Sequence, residues 1–114
     1  MAVVTIIGAG MMGSALAFPL RENGNEVRLV GTHLDREIIE ACKKTDQHPK
    51  FTKKFPAGLS YYQIEELEMA LDGADMVIGG VSSFGVDWFG DYVLPRIADG
   101  TNVLTVTKGV MDMP

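Results

Sequence analysis

The chain has 114 residues, of which 46% are hydrophobic and 22% are charged, fractions that are normal for a globular domain. Disordered, collagen-like and coiled-coil classes are therefore excluded, and the length fits a single domain. With 10 basic and 15 acidic residues the formal net charge is −5, so we expect neither nucleic acid nor an anionic membrane surface as a partner.

The cysteine content and the N-terminus predict a cytoplasmic protein. Cys42 is the single cysteine, so the chain can form no internal disulfide and has no CxxC or zinc pattern. The apolar segment from Ala2 to Ile7 lacks the basic region of a signal peptide and is too short to span a bilayer. We therefore expect a reducing compartment and no metal site.

The hydrophobic pattern of the first half predicts two strands, each followed by a helix. Ala2 to Ile7 forms the first strand, and the helix after it ends at Asn23-Gly24-Asn25, with Pro19 expected to kink it. Glu26 to Val30 forms the second strand. A helix from about Asp35 to Lys44 follows, with Ile38, Ile39 and Cys42 facing inward.

The second half continues the alternation after a surface loop. The predicted elements are a loop from Thr45 to Phe55 that forms a flap on the ligand side, a strand from Leu59 to Tyr62, a helix from Ile64 to Leu71, a strand from Asp75 to Val81, a helix carrying Val86, Phe89, Val93 and Ile97 on one side, and a last strand from Asn102 to Thr107. Parallel neighbouring strands need crossover helices. The pattern therefore predicts the α/β class with a doubly wound parallel sheet.

Three glycines with GxGxxG spacing lie between the first strand and the first helix. Gly8 permits a tight turn, Gly10 lets a pyrophosphate approach the backbone, and Gly13 lets the helix pack on the strand. We expect this turn, including Met11 and Met12, to bind a dinucleotide in a Rossmann-type domain. The alternative is a tight strand-to-helix turn without a ligand.

The acid that usually binds the adenosine ribose of NAD is missing from the end of the second strand. Val30-Gly31-Thr32-His33 stands there, and the next acid, Asp35, would serve as a helix N-cap. Thr32, His33 and Arg36 are suited to a 2′-phosphate, which favours NADP over NAD. The alternative is that Arg36 is a solvated helix residue and His33 an ordinary loop residue.

Five stretches of the sequence are informative when taken together. They are Gly8 to Ala17, Asn23 to Leu29, His48 to Phe51, Gly80 to Ser83 and Thr107 to Val110. Together they resemble the N-terminal domain of NAD(P)-dependent glycerol-3-phosphate dehydrogenase. In that family an aromatic residue usually stands at the position of Met12, a threonine at that of Ser14, and a proline at that of Ser82.

The resemblance implies an enzyme that interconverts dihydroxyacetone phosphate and sn-glycerol 3-phosphate, the backbone precursor of phospholipids. It assigns to Lys108 a catalytic role in contact with substrate and cofactor. A lysine is suited to this place, because the carboxyl ends of parallel strands form the ligand crevice. Ser82 follows a strand end and is a candidate for cofactor contact, with a helix N-cap as the equal alternative.

The resemblance also implies a second, all-helical domain that supplies the proton-transferring lysine and most of the substrate phosphate pocket. We therefore expect residues 1–114 to be a dinucleotide-binding domain truncated before that domain, and inactive by itself. One alternative is the cofactor domain of another small keto or hydroxy acid dehydrogenase. The other is a stand-alone nucleotide-sensing module.

Four further residues have assigned roles. His48 is expected to order its loop rather than to carry a proton, and Cys42 to be a small core residue rather than a nucleophile. Trp88 and Tyr92 form a second apolar flank on their helix. We expect this flank, with Val110 to Met113, to be an exposed patch that packs on the helical domain in the whole enzyme and lets the isolated domain form homo-oligomers.

Overall fold

The computed structural model describes residues 2–51, 53–80 and 86–105, and these residues form one parallel sheet with helices on both faces. The strands are β1 (Val3–Ile7), β2 (Glu26–Val30), β3 (Ser60–Tyr62), β4 (Met76–Gly79) and β5 (Asn102–Thr105). All of them run parallel, in the order β3-β2-β1-β4-β5. The order reverses beside β1, which confirms the doubly wound fold predicted from the sequence.

The helices are α1 (Met11–Glu22), α2 (Arg36–Thr45), α3 (Leu67–Leu71) and α4 (Val86–Trp88). A 3-10 turn, Ile64–Glu66, leads into α3, so the helix predicted from Ile64 begins in this tighter form. α4 continues as a π-helical turn, Phe89–Val93, and a 3-10 turn, Leu94–Arg96. Pro95, which has no amide hydrogen to donate to the preceding turn, lies in the 3-10 turn rather than in the regular helix.

Alternate residues of the central strand build two cores, one on each face of the sheet. Val4 and Ile6 belong to the core beneath α1 and α2, together with the buried Ile39 and Cys42. On the opposite face, Ile7 belongs to the core beneath α3 and the α4 segment. Because β1 is covered on both faces, its sequence is an almost continuous apolar run rather than an alternating one.

Several predicted boundaries agree with the structure, and others differ by a few residues. α1 runs through Pro19 and ends at Glu22 with Asn23 as its C-cap, after which Gly24 has a φ of 88°. The predicted helix over Asp35 to Lys44 is observed as α2, with Asp46 in the left-handed conformation after it. Ile97 was predicted on the helix after β4, but its extended backbone lies just beyond the end of that helix.

The segment between α2 and β3 is packed rather than a simple surface loop. Phe55 is 5% exposed and stacks on Phe18 of α1, with 5.1 Å between ring centroids. Phe51 lies beside both rings. The prediction that residues 45–55 form an unpacked surface loop was wrong, because their aromatic side chains pack against Phe18 and join the core that includes residues of β1, α1 and α2.

Candidate functional site

The glycine turn joins β1 to α1 at the carboxyl edge of the sheet. Gly8 has a φ of 108°, which strongly favours glycine, and Gly10 is the extended N-cap residue of α1. A Cβ atom on Gly10 would meet nothing within 4 Å, whereas one on Gly13 would lie 2.5 Å from the Gly8 carbonyl oxygen. The turn is therefore open at Gly10 and closed at Gly13, as the predicted roles of these two glycines require.

Two further glycines at the end of β4 permit close packing, Gly80 against this turn and Gly79 against the α4 segment. A Cβ on Gly80 would lie 2.9 Å from the Cα of Gly13, and one on Gly79 would lie 2.8 Å from the ring of Phe89. The Gly80 amide donates to the Ile7 carbonyl at 2.8 Å. The sequence analysis assigned no role to this pair, although glycine inside a strand pattern indicates close approach of another backbone.

Asp35 brings a carboxylate to the glycine turn from 26 residues away. Its Oδ2 accepts hydrogen bonds from the Ala9 amide at 3.0 Å, from the Thr32 amide at 2.9 Å and from the Thr32 hydroxyl at 3.0 Å. Asp35 is the N-cap residue of α2, but its side chain makes no capping bond to that helix. The prediction of a capping side chain was wrong, because the carboxylate is turned back toward β1.

Of the three residues predicted to favour a 2′-phosphate, Thr32 and His33 lie between β2 and α2, and Arg36 is the first residue of α2. The Thr32 hydroxyl is bonded to Asp35 and to the Leu34 amide. The exposed His33 ring lies 6.2 Å from the Trp88 ring. Arg36 forms a two-pronged ion pair with Glu65, which follows β3.

The Arg36 ion pair perturbs the titration of both partners. Hydrogen bonding to Glu65 raises the pKa of Arg36, and the same hydrogen bond lowers the pKa of Glu65. Both side chains are at least half exposed, so solvent screens the pair. A ligand phosphate would therefore compete with Glu65 for the Arg36 guanidinium.

His48 and Cys42 lie in the interior. His48 is 1% exposed, and its ring nitrogens contact the Ala9 carbonyl oxygen at 2.9 Å and the Lys50 amide at 3.0 Å. These contacts fit the predicted loop-ordering role. Burial, with a smaller contribution from Asp46, raises the pKa of the Cys42 thiol to about 11. The prediction that Cys42 is a core residue is confirmed.

The predicted apolar flank after β4 is only partly exposed. Tyr92 is 37% exposed and stacks on Trp88, with 5.6 Å between ring centroids, and the Arg96 guanidinium lies 4.1 Å from the Tyr92 ring centroid. Trp88 is half-buried, because it also contacts the core formed by Ile7, Phe89 and Val93. The predicted contribution of Val110 to Met113 lies outside the described residues.

Other predicted site residues also lie outside that part of the chain. In sequence Ser82 comes after β4 and Lys108 after β5, and both fall in the segments that the structure does not describe. The backbone of Met11 and Met12 forms the first turn of α1. Within residues 2–51, 53–80 and 86–105, no helix is long and apolar enough to cross a membrane, and no group of three or more possible metal ligands occurs.

The strand order, the glycine turn and its position beside β1 define a Rossmann-type dinucleotide-binding fold. More specifically, the chain belongs to the family described as NAD-dependent glycerol-3-phosphate dehydrogenase N-terminus, whose model matches residues 3–113.

Individual relatives agree with this family. The NADP(+)-dependent glycerol-3-phosphate dehydrogenase of Archaeoglobus fulgidus is 42% identical over 110 residues, which are 96% of this chain and 32% of that protein. A crystal structure of glycerol-3-phosphate dehydrogenase from Coxiella burnetii has a TM-score of 0.83 and 26% identity, covering 95% of this chain and 33% of the other. The chain thus spans about a third of the length of these relatives.

A second class of solved structure is also similar. The putative 2-dehydropantoate 2-reductase of Enterococcus faecalis has a TM-score of 0.70 and 29% identity, covering 90% of this chain and 33% of the other. This likeness lies in the same third of a longer chain.

Proposed function

We propose that this chain binds NADP or NAD with the pyrophosphate at the N-terminus of α1, as the cofactor-binding part of a glycerol-3-phosphate dehydrogenase. The observation that carries the proposal is the contrast within the glycine turn, which is open at Gly10 and closed at Gly13 and Gly80. A pyrophosphate needs both a backbone that it can approach and a helix N-terminus held close to the sheet. Family membership supports the same assignment.

NADP is the favoured cofactor in this proposal. The Archaeoglobus fulgidus relative is described as NADP(+)-dependent, and several others as using NAD(P)+. In this chain Thr32, His33 and Arg36 lie at the carboxyl edge of β2, where a 2′-phosphate of the adenosine ribose would lie. Arg36 would exchange Glu65 for that phosphate in a charge-assisted contact.

The reaction is hydride transfer between the nicotinamide and a small phosphorylated substrate, with sn-glycerol 3-phosphate and dihydroxyacetone phosphate as the pair. Lys108 is the proposed contact to both substrate and cofactor, and Ser82 a proposed cofactor contact. A helical domain would supply the remaining substrate pocket, so we expect no turnover from residues 1–114 alone. The cytoplasm is the proposed location, and phospholipid precursor synthesis the proposed role.

A related keto acid reductase is the second candidate, and the likeness to the Enterococcus faecalis protein supports it. The match of the glycerol-3-phosphate dehydrogenase family over residues 3–113 favours the first candidate. Exposed apolar side chains occur at Tyr92 and Leu94 after α4 and at Val103 and Leu104 on β5, and they suit contact with further protein, either a second domain or a second copy of this chain.

Calorimetric titration of the 114-residue chain with NADPH and with NADH tests the proposal. Gly10→Val places a side chain in the open space of the turn, so we expect a folded protein whose dinucleotide affinity falls at least about thirtyfold because the pyrophosphate is displaced. Gly90→Val is a matched control, since Gly90 also has open space around its Cβ position. The Gly90→Val protein should bind the dinucleotides as tightly as the parent chain. Unchanged affinity in a folded Gly10→Val variant would refute the assignment.

A further inference from the structure

Two side chains outside the glycine motif hold one residue of the turn from both sides. Asp35 accepts a hydrogen bond from the Ala9 amide at 3.0 Å, and His48 contacts the Ala9 carbonyl oxygen at 2.9 Å. These residues are 26 and 39 positions away in sequence. Ala9 is itself fully buried, so both of its backbone groups need protein partners.

The hydrogen bond of His48 has a defined direction. Nδ1 of His48 accepts from the Lys50 amide at 3.0 Å, so this nitrogen carries no proton. In the neutral ring the proton is therefore on Nε2, which donates to the Ala9 carbonyl. The ring also stacks on Phe51 at 4.8 Å between centroids, which fixes its plane.

The two contacts set the orientation of two successive peptide planes. In a trans peptide the carbonyl and the amide of the next residue point in opposite directions, and the described chain contains no cis peptide. Holding the Ala9 carbonyl toward His48 therefore turns the Gly10 amide to the other side. In the same way, holding the Ala9 amide toward Asp35 turns the Gly8 carbonyl toward Gly13, where a Cβ would lie 2.5 Å from it.

We infer that His48 and Asp35 are positioning residues that orient the glycine turn for a pyrophosphate, an inference that rests on the proposed dinucleotide binding. Asp35 occupies the Ala9 amide, so the anion is left with the amides from Gly10 onward at the start of α1. His48 keeps the Ala9 carbonyl turned toward its own ring, so this partial negative charge does not oppose the phosphate.

The test combines backbone exchange with ligand affinity. His48→Phe keeps a ring but cannot donate, so amide hydrogen exchange over residues 8–13 should increase and the Kd for NADPH should rise about tenfold. His48→Gln retains a donor and should recover most of the affinity. Phe55→Leu is the control, because it disturbs the packing of the same segment on Phe18 without touching Ala9, and it should lower the Tm but leave the Kd unchanged.

Asp35 gives an independent arm of the test. Asp35→Asn keeps an acceptor and removes a negative charge near the anion, so NADPH should bind at least as tightly as in the parent chain. Asp35→Ala removes the acceptor and should bind more weakly than Asp35→Asn despite carrying the same charge. This comparison separates orientation of the turn from simple electrostatics.

The outcomes separate the inference from the proposed function. If the parent chain binds NADPH but His48→Phe binds equally well, or exchange over residues 8–13 is unchanged, the inference is overturned and the proposed function stands. Equal losses in Phe55→Leu and His48→Phe would also overturn it, because general packing of the segment would then explain the effect. If the parent chain binds neither dinucleotide, the proposed function fails and the inference fails with it.

Discussion

The pyrophosphate end and the ribose end of the proposed cofactor site are built in different ways. At the pyrophosphate end, Gly13 and Gly80 approach so closely that a Cβ on either would overlap backbone atoms. At the ribose end, Arg36 and Glu65 meet through long side chains that are at least half exposed. Closely packed backbone atoms permit only one conformation of the turn. Solvated side chains that form an ion pair can change conformation at a small cost in free energy.

This difference separates the general part of the site from the selective part. A pyrophosphate is common to NAD and NADP, so a rigid backbone cradle serves both cofactors equally. The 2′-phosphate that distinguishes them is recognised by side chains, and here its proposed partner already has an anionic neighbour in Glu65. Substitutions at the two ends should therefore have different consequences, for folding at the first and for cofactor preference at the second.

The largest effect is expected at Gly13. Gly13→Ala places a Cβ 2.5 Å from the Gly8 carbonyl oxygen, and the backbone of β1 or α1 must move to accommodate it. We expect the free energy of unfolding to fall by about 1–3 kcal/mol, the usual cost of overpacking. Urea unfolding measures this loss, and a Gly13→Ala protein as stable as the parent would show that the turn is not closed at this position.

Arg36→Glu should change cofactor preference rather than stability. The substitution replaces a charge-assisted contact by repulsion of the 2′-phosphate, so NADPH should bind about tenfold more weakly while NADH changes little. Lys44→Glu is the matched control, because it makes the same change of charge on α2 but eight residues further along the helix than Arg36. Equal losses for NADPH and NADH would exclude the role assigned to Arg36.

Glu65→Gln tests the same ion pair and should have the opposite effect on the affinity for NADPH. Loss of the competing carboxylate leaves Arg36 available to the 2′-phosphate, so the affinity for NADPH should rise, by roughly threefold given the weakness of exposed ion pairs. Affinity for NADH should stay the same. Titrations at low and high salt check the cause, since screening should reduce the gain.

The smallest effect concerns Glu66. Its side chain accepts from the Gln63 amide at 3.0 Å and pairs with Lys43 at 3.3 Å, and these contacts lower its pKa below 4.5, with the Gln63 backbone contact the largest cause. A lowered pKa means that Glu66 stabilises the fold above pH 4.5 and that this stabilisation is lost as the pH falls below it.

Glu66→Ala should therefore cost about 0.5–1 kcal/mol at pH 7, the usual value of a helix cap, and less at pH 3. Unfolding curves at the two pH values check this difference. If Glu66→Ala lowers the free energy of unfolding equally at pH 7 and pH 3, packing rather than charge explains the contribution of Glu66 to stability.

Sequence patterns predicted the backbone-built end of the site better than the end built from side chains. The order of strands and helices and the glycine turn were evident because local spacing determines them. The contact between Arg36 and Glu65 joins residues 29 positions apart, and no local pattern indicates it. Asp35 was interpreted as a cap because its place before α2 suits one, and only the tertiary structure shows its bond to Ala9.

The strand order has a consequence for the time at which the site forms as the chain folds. β1 is made first but pairs on one side with β4, so that Val4 lies beside Met76. Gly80, which closes the turn against Gly13, follows β4 in the chain. Bringing these segments together requires closure of a loop of about 70 residues, a slow and entropically costly step. The cofactor should therefore bind only after both halves of the sheet have joined, and it should slow unfolding without speeding the earliest stage of folding.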